Sequence, residues 1–165
     1  MEQNSLKLRP FLPTDQASIL ETVTSTKVNQ TYMLPDFEKQ EDAIPLFERL
    51  SKLSHDSARF VRCIDVAGRA VGFLNDVEIK DGSIELGYVI HPDCHNRGYM
   101  TRALKAAIDE LFTLNFQRVV CGAFEGNKAS QRVMEKAGMT KIEFTEIIEY
   151  RGIQHLCVYY EKRSR

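Results

Sequence analysis

The sequence predicts an α+β domain built on a mixed, mostly antiparallel sheet, and three observations carry that prediction. Strand-like runs crowd the middle of the chain: "ARFVRCIDV", "AVGFLNDVEI" and "SIELGYVI", joined by the Gly-containing turns in "AGR" and "KDGS". That pattern marks an antiparallel meander. A strand–helix–strand unit follows, from "IELGYVI" through an amphipathic stretch to "RVVCGAF", and such a crossover requires a parallel pair. Two last strands, "TKIEFTEIIEY" and "IQHLCVYYE", meet at a Tyr150-Arg151-Gly152-Ile153 turn. About seven strands and four helices fill the 165 residues, which suit one domain spanning 1–165.

The elements follow in order. "LKLRPF" alternates and reads as the first strand. Thr14 is expected to cap a helix whose apolar residues Ile19, Leu20 and Val23 recur at helical spacing. From about Lys27 to Asp36 the chain is polar and irregular, carrying Tyr32 and Met33. A second helix runs from near Asp42 to Leu53. Pro45 is tolerated in its first turn, and its apolar stripe is Ile44, Phe47 and Leu50, extended to Ser54. The crossover helix spans about Tyr99 to Leu114, with Ala103, Leu104, Ala107, Ile108, Leu111 and Phe112 as its stripe. The last helix lies in "NKASQRVMEKAG", with Asn127 as N-cap and Gly138 as its stop.

Composition narrows the function. A formal net charge of −1 gives no argument for nucleic acid or an acidic membrane surface. No apolar run approaches the roughly 20 residues of a membrane span. The N-terminus "MEQNSLKLRP" lacks a basic-then-apolar export pattern. Cys63, Cys94, Cys121 and Cys157 are scattered without metal-ligand spacing. Three of them fall in strand-like runs and read as small buried hydrophobes, which fits a reducing, cytoplasmic setting and no metal.

The joint between "IELGYVI" and the crossover helix is where chemistry is expected. A helix start leaves backbone N–H groups free and carries the positive end of the helix dipole, so it suits an anion such as a pyrophosphate. Gly98 would let a phosphate approach the backbone, and His95 and Arg97 can add charge or hydrogen bonds.

Taken together, "IELGYVIHPDCHNRGYMTRAL" and "VVCGAFEGNKASQRVMEKAGM" resemble the GNAT superfamily of acyl-CoA-dependent N-acetyltransferases. More narrowly, they resemble its RimJ/RimL-like branch, which acetylates ribosomal-protein N-termini. The likeness covers nearly the whole chain. It implies that the fourth and fifth strands splay apart and admit the pantetheine arm of acetyl-CoA between them.

The family's pyrophosphate loop, Q/R-x-x-G-x-G/A, falls on His95 to Met100, with Gly98 on the central glycine. His95 and Met100 depart from the pattern, so the Met100 side chain must point away from the phosphates. By the resemblance, His95, Arg97, Gly98, Tyr99 and Met100 bind the cofactor, Val89 and Ile90 offer main-chain groups to the pantetheine, and Asn127 touches the same arm. Many relatives carry a tyrosine as proton donor to the leaving thiolate, but here that position is Met134. The RimJ/RimL-like pattern offers Ser130 instead. Each residue also has a local reading: Val89 and Ile90 as core strand residues, Asn127 as an ordinary N-cap, Ser130 as a first-turn serine.

The acceptor must be a neutral amine, since an ammonium has no lone pair for the thioester. Glu85, on the strand beside the expected cofactor slot, is the candidate base, and a salt-bridged strand carboxylate is its competing reading. Glu125 is a weaker second. An α-amine, with a reference pKa of roughly 7.7–8.0, asks less of a base than a lysine at roughly 10.4. Cys94 is the one cysteine to exclude as an acyl carrier. Tyr32, Met33 and Tyr150, with Phe37, lie on the segments that contact acceptors in this superfamily. The expected activity is acetyl transfer from acetyl-CoA to a primary amine, such as a protein N-terminal α-amine, by direct attack in a ternary complex. A small-molecule amine (polyamine or aminoglycoside type), a catalytically silent acyl-CoA-binding module and a homodimer all stay open.

Overall fold

A computed structural model describes residues 5–30 and 32–165. Its strands are β1 (Leu6–Arg9), β2 (Val61–Val66), β3 (Arg69–Lys80), β4 (Ser83–Ile90), β5 (Arg118–Phe124), β6 (Thr140–Tyr150) and β7 (Ile153–Arg163). They form a seven-stranded sheet in the order β1-β2-β3-β4-β5-β7-β6. The helices are α1 (Gln16–Val23), α2 (Thr26–Asn29), α3 (Ile44–Ser54), α4 (Tyr99–Thr113) and α5 (Lys128–Lys136). The β4–β5 pair is parallel, as the crossover demands, while β1–β2, β2–β3, β5–β7 and β6–β7 are antiparallel. Among the described residues, no helix is long and apolar enough to cross a membrane.

Backbone contacts divide the chain into two units. One holds the residues up to Asn75 together with Tyr88–Ala103; the other holds Asp76–Gly87 and Leu104–Arg165. In the first, α3 packs on α1 and β2. Its period-3.6 stripe buries Phe47, Leu50 and Ser54, with Ile44 partly covered. Phe11 sits at the centre of this core, edge-on to Phe47 and Phe73 at 5.7 and 6.2 Å. Fully burying such a side chain contributes about 1.5–3 kcal/mol.

The entry to α1 differs from the expected Thr14 cap. Pro13–Asp15 form a 3-10 turn, and Asp15 rather than Thr14 fixes it. The Asp15 carboxylate accepts the Leu12 N–H at 2.7 Å and pairs with Arg9 at 2.8 Å. Arg9 also donates to Asp65 at 2.7 Å, so one guanidinium ties two acids together. The stretch expected to be irregular contains the short α2, which the sequence reading missed.

In the second unit, α4 buries Leu104, Ala107, Ile108 and Leu111, while α5 packs on β5 and β6 and buries Met134. The parallel register covers Ser83–Leu86 against Arg118–Cys121, and both strands run on beyond the last pair. Arg151 and Gly152 both have positive φ, so a two-residue hairpin sets Tyr150 opposite Ile153 and Glu146 opposite Cys157.

Candidate active site

In the first unit, β4 leads into a compact turn and then into α4. The His91 N–H donates to the Val71 carbonyl at 2.7 Å and ties this segment to β3. Pro92–Cys94 form a 3-10 turn, and Asn96 (φ 61°) and Gly98 (φ 75°) are both left-handed. A glycine suits that φ, and a Cβ built on Gly98 would meet nothing within 4 Å. The Gly98 carbonyl accepts the Arg102 N–H at 3.1 Å, starting the helical ladder. His95, Arg97 and Gly98 are exposed, Tyr99 is half-buried and Met100 is buried. The site therefore has a 15-residue helix, an open backbone at its start and two basic side chains beside it. Such a construction accommodates phosphate oxygens.

Val89 is buried on β4, and its carbonyl lies only 2.2 Å from where a Gly72 Cβ would stand. Glycine at 72 is what lets β3 approach. The Ile90 carbonyl accepts from the His95 ring nitrogen Nε2 at 3.3 Å. A carbonyl has two lone pairs, so Ile90 can accept a second hydrogen bond with the His95 side chain in place. Tyr32 is engaged too. Its hydroxyl donates to Asn75 at 2.7 Å, its ring stands edge-on to Phe73, and burial pushes its pKa up to about 12. Met33 is 50% exposed.

In the second unit, Glu85 is half-buried on β4, opposite Val120. Burial pushes its pKa above the usual carboxylate range, and the negative Glu146 and Glu78 push it further. Tyr159 donates to Glu146 at 3.0 Å. Burial first, then Cys157 and Glu146, raise the Tyr159 pKa, so this hydroxyl keeps its proton at neutral pH. Its ring lies close to Gly122, where a Cβ would stand 2.6 Å from the ring edge. Glu146 and Tyr159 are residues the sequence reading missed. Strand alternation and the two-residue hairpin do put Glu146 opposite Cys157, but nothing in the sequence says that Glu85 lies near enough to feel it.

Asn127 is the N-cap of α5, its side-chain oxygen accepting the Ser130 N–H at 3.1 Å. Ser130 is half-buried in the first turn, and Met134 is fully buried. Gln131, not foreseen, donates from Nε2 to the Phe124, Glu125 and Asn127 carbonyls and so holds the β5–α5 connection. Glu125 is exposed. Tyr150 lies near Phe124 and His155, with the Arg151 guanidinium 5.1 Å from its ring centre. All four cysteines are buried, Cys94 included.

Residues 5–140 match the family described as the Acetyltransferase (GNAT) domain. The chain belongs to the GNAT acetyltransferase family. Solved structures agree on the fold. A GNAT-family acetyltransferase from Bacillus anthracis superposes with a TM-score of 0.83 at 21% identity, covering 98% of this chain and 96% of that one. The RimL ribosomal alpha-N-protein acetyltransferase gives 0.84 at 18% identity, with 97% and 91% covered. A spermidine N-acetyltransferase from Vibrio cholerae, solved with CoA and spermine, gives 0.79 at 20% identity, with 96% and 95% covered. These likenesses support the fold alone.

Proposed function

We propose that this GNAT acetyltransferase uses acetyl-CoA to acetylate a primary amine, a protein N-terminal α-amine or one like it, by direct attack in a ternary complex. The observation that carries the reading is the open turn at Gly98 leading into the long helix α4. There the backbone N–H groups of Gly98, Tyr99 and Met100, with the exposed Arg97 and His95, would hold the pyrophosphate. Bound acetyl-CoA supplies an activated thioester carbonyl. Val89 and Ile90 would bind its pantetheine arm through main-chain groups, and Asn127 would touch the same arm while capping α5.

Glu85 takes the proton from the acceptor ammonium. Burial and two nearby carboxylates raise its proton affinity toward that of the amine, which shortens the uphill part of the transfer. Ser130 would supply a hydroxyl to hydrogen-bond the leaving thiolate. By the family resemblance, Tyr32, Met33 and Tyr150 are the candidates to contact the acceptor.

A polyamine is the second reading. Glu85, Glu146 and Glu78 together would favour an acceptor with more than one positive charge. Thiol release measured against a panel of peptide N-termini, spermidine, spermine and amino sugars tests both. The first reading expects the highest kcat/KM with a peptide α-amine. Turnover confined to polyamines would transfer the assignment to the second, and turnover with none of them would leave an acyl-CoA binder.

A further inference from the structure

The turn that delivers the 95–100 loop is built around one buried side chain. His91 is 3% exposed, directly after β4 and three residues ahead of His95's neighbour Cys94 in the 3-10 turn. Its Nδ1 accepts the Asp93 N–H at 3.1 Å. An amide N–H can only donate, so Nδ1 carries the lone pair and the ring proton sits on Nε2. That proton is donated to Glu21 Oε1 of α1 at 2.9 Å. The main chain of His91 is equally committed. Its N–H goes to Val71, and its carbonyl accepts the Cys94 N–H at 2.8 Å. One residue thereby ties β3, α1 and the 3-10 turn together within a single unit.

Glu21, His91 and Asp93 also present ligand atoms within 4.8 Å of one another, a spacing a cation could use. Both ring nitrogens already have partners, however, and a metal would have to break the Asp93 amide bond or the Glu21 bond. The geometry fits a hydrogen-bonded strut better than a ligand set.

We propose that His91 is the positioning residue of the pyrophosphate loop: Nδ1 sets the turn that aims residues 95–100, and Nε2 anchors that turn to α1 through Glu21. The role rests on the assignment of the loop to acetyl-CoA given above. It follows that the imidazole acts through the turn, on donor affinity and not on the chemical step. The two ring nitrogens can be separated by substitution. In His91→Asn the amide oxygen replaces the Nδ1 acceptor, while in His91→Gln the longer side chain replaces only the Nε2 donor.

Calorimetry with acetyl-CoA, paired with steady-state kinetics, tests this. His91→Gln should weaken acetyl-CoA binding about ten-fold, the scale of one lost hydrogen bond, and raise its KM with kcat at saturation retained. His91→Asn, which keeps the turn-setting acceptor and loses only the Glu21 anchor, should weaken binding less, about three-fold. Equal binding by both variants, equal loss in both, or a loss confined to His91→Asn would overturn the proposal. NMR of the parent's ring nitrogens supplies a readout independent of variant folding. The Nε2–H tautomer at His91 is expected, and the Nδ1–H tautomer would overturn the assignment. A parent that binds no acetyl-CoA at all, with the Nε2–H tautomer present, would instead remove the donor reading on which the role rests.

Discussion

Tyr159 donates its hydroxyl hydrogen to Glu146 across the β6–β7 pair, and Glu146 is in turn one of two carboxylates that raise the proton affinity of Glu85. Because burial, Cys157 and Glu146 keep Tyr159 protonated, the phenol holds Glu146 in place without removing its charge. Glu85 is thus tuned by its own burial and by a second acid whose position is fixed by hydrogen bonding.

Glu85→Gln should lower kcat, with the loss shrinking as pH rises and the amine deprotonates unaided. The sign for stability runs the other way. A carboxylate whose folded pKa is raised favours the protonated form in the folded state, so its contribution is present at low pH and lost as pH rises through the folded pKa. Glu85→Gln should therefore hold or raise Tm at neutral pH while reducing activity. A pH–rate profile parallel to the parent's, without rate loss, would make Glu85 a structural strand residue.

Glu146→Gln removes one of the charges that raise Glu85. The acidic limb of the kcat/KM profile should shift to lower pH, because Glu85 then ionises more easily. Tyr159→Phe keeps the Glu146 charge but frees it to move, so its shift should be smaller. A limb that stays in place in Glu146→Gln would separate the measured base from Glu85.

Gly98→Asp and Gly98→Asn distinguish charge from backbone. Both put a side chain on a left-handed residue that has open space around it, and both residue types tolerate that φ better than most. Asp adds a negative charge where the pyrophosphate is expected, so its acetyl-CoA KM should rise at least about ten-fold above that of Asn, on the scale of one charge-assisted contact. Calorimetry showing equal acetyl-CoA affinity in the two folded variants would move the phosphate site elsewhere.

Ser130→Ala should keep acetyl-CoA affinity and lower kcat about ten-fold, the scale of one hydrogen bond to developing charge. Restoring the more common tyrosine at 134 is not a clean rescue. Met134 is fully buried, and inserting a ring there would cost about 1–3 kcal/mol in overpacking. Unchanged turnover in folded Ser130→Ala would leave serine as a first-turn helix residue beside its cap, Asn127.

The fold was legible because its signals are local. Strand alternation, the X-Gly hairpins and the stripe of α4 each depend on neighbours in sequence, and β4, β5 and β6 begin and end where the residue pattern does. Thr14 failed as a cap because its neighbour Asp15 takes the Leu12 N–H three residues back and is held there by Arg9. The loop from His95 to Met100 was readable for the same local reason as the hairpins. Glu146, Tyr159 and the bond from His91 to Glu21 were not, since each depends on a side chain meeting a residue 10 or more positions away.

Direct attack without an acyl-enzyme is the central claim, and intact-protein mass spectrometry under single-turnover conditions tests it most directly. Incubated with acetyl-CoA alone, the protein should keep its mass. On adding a peptide with a free N-terminus, one acetyl group should appear on the peptide for each CoA released. A stable gain of one acetyl group on the protein before any amine is added, abolished by Cys94→Ser, would contradict the account and make the reaction a two-step transfer.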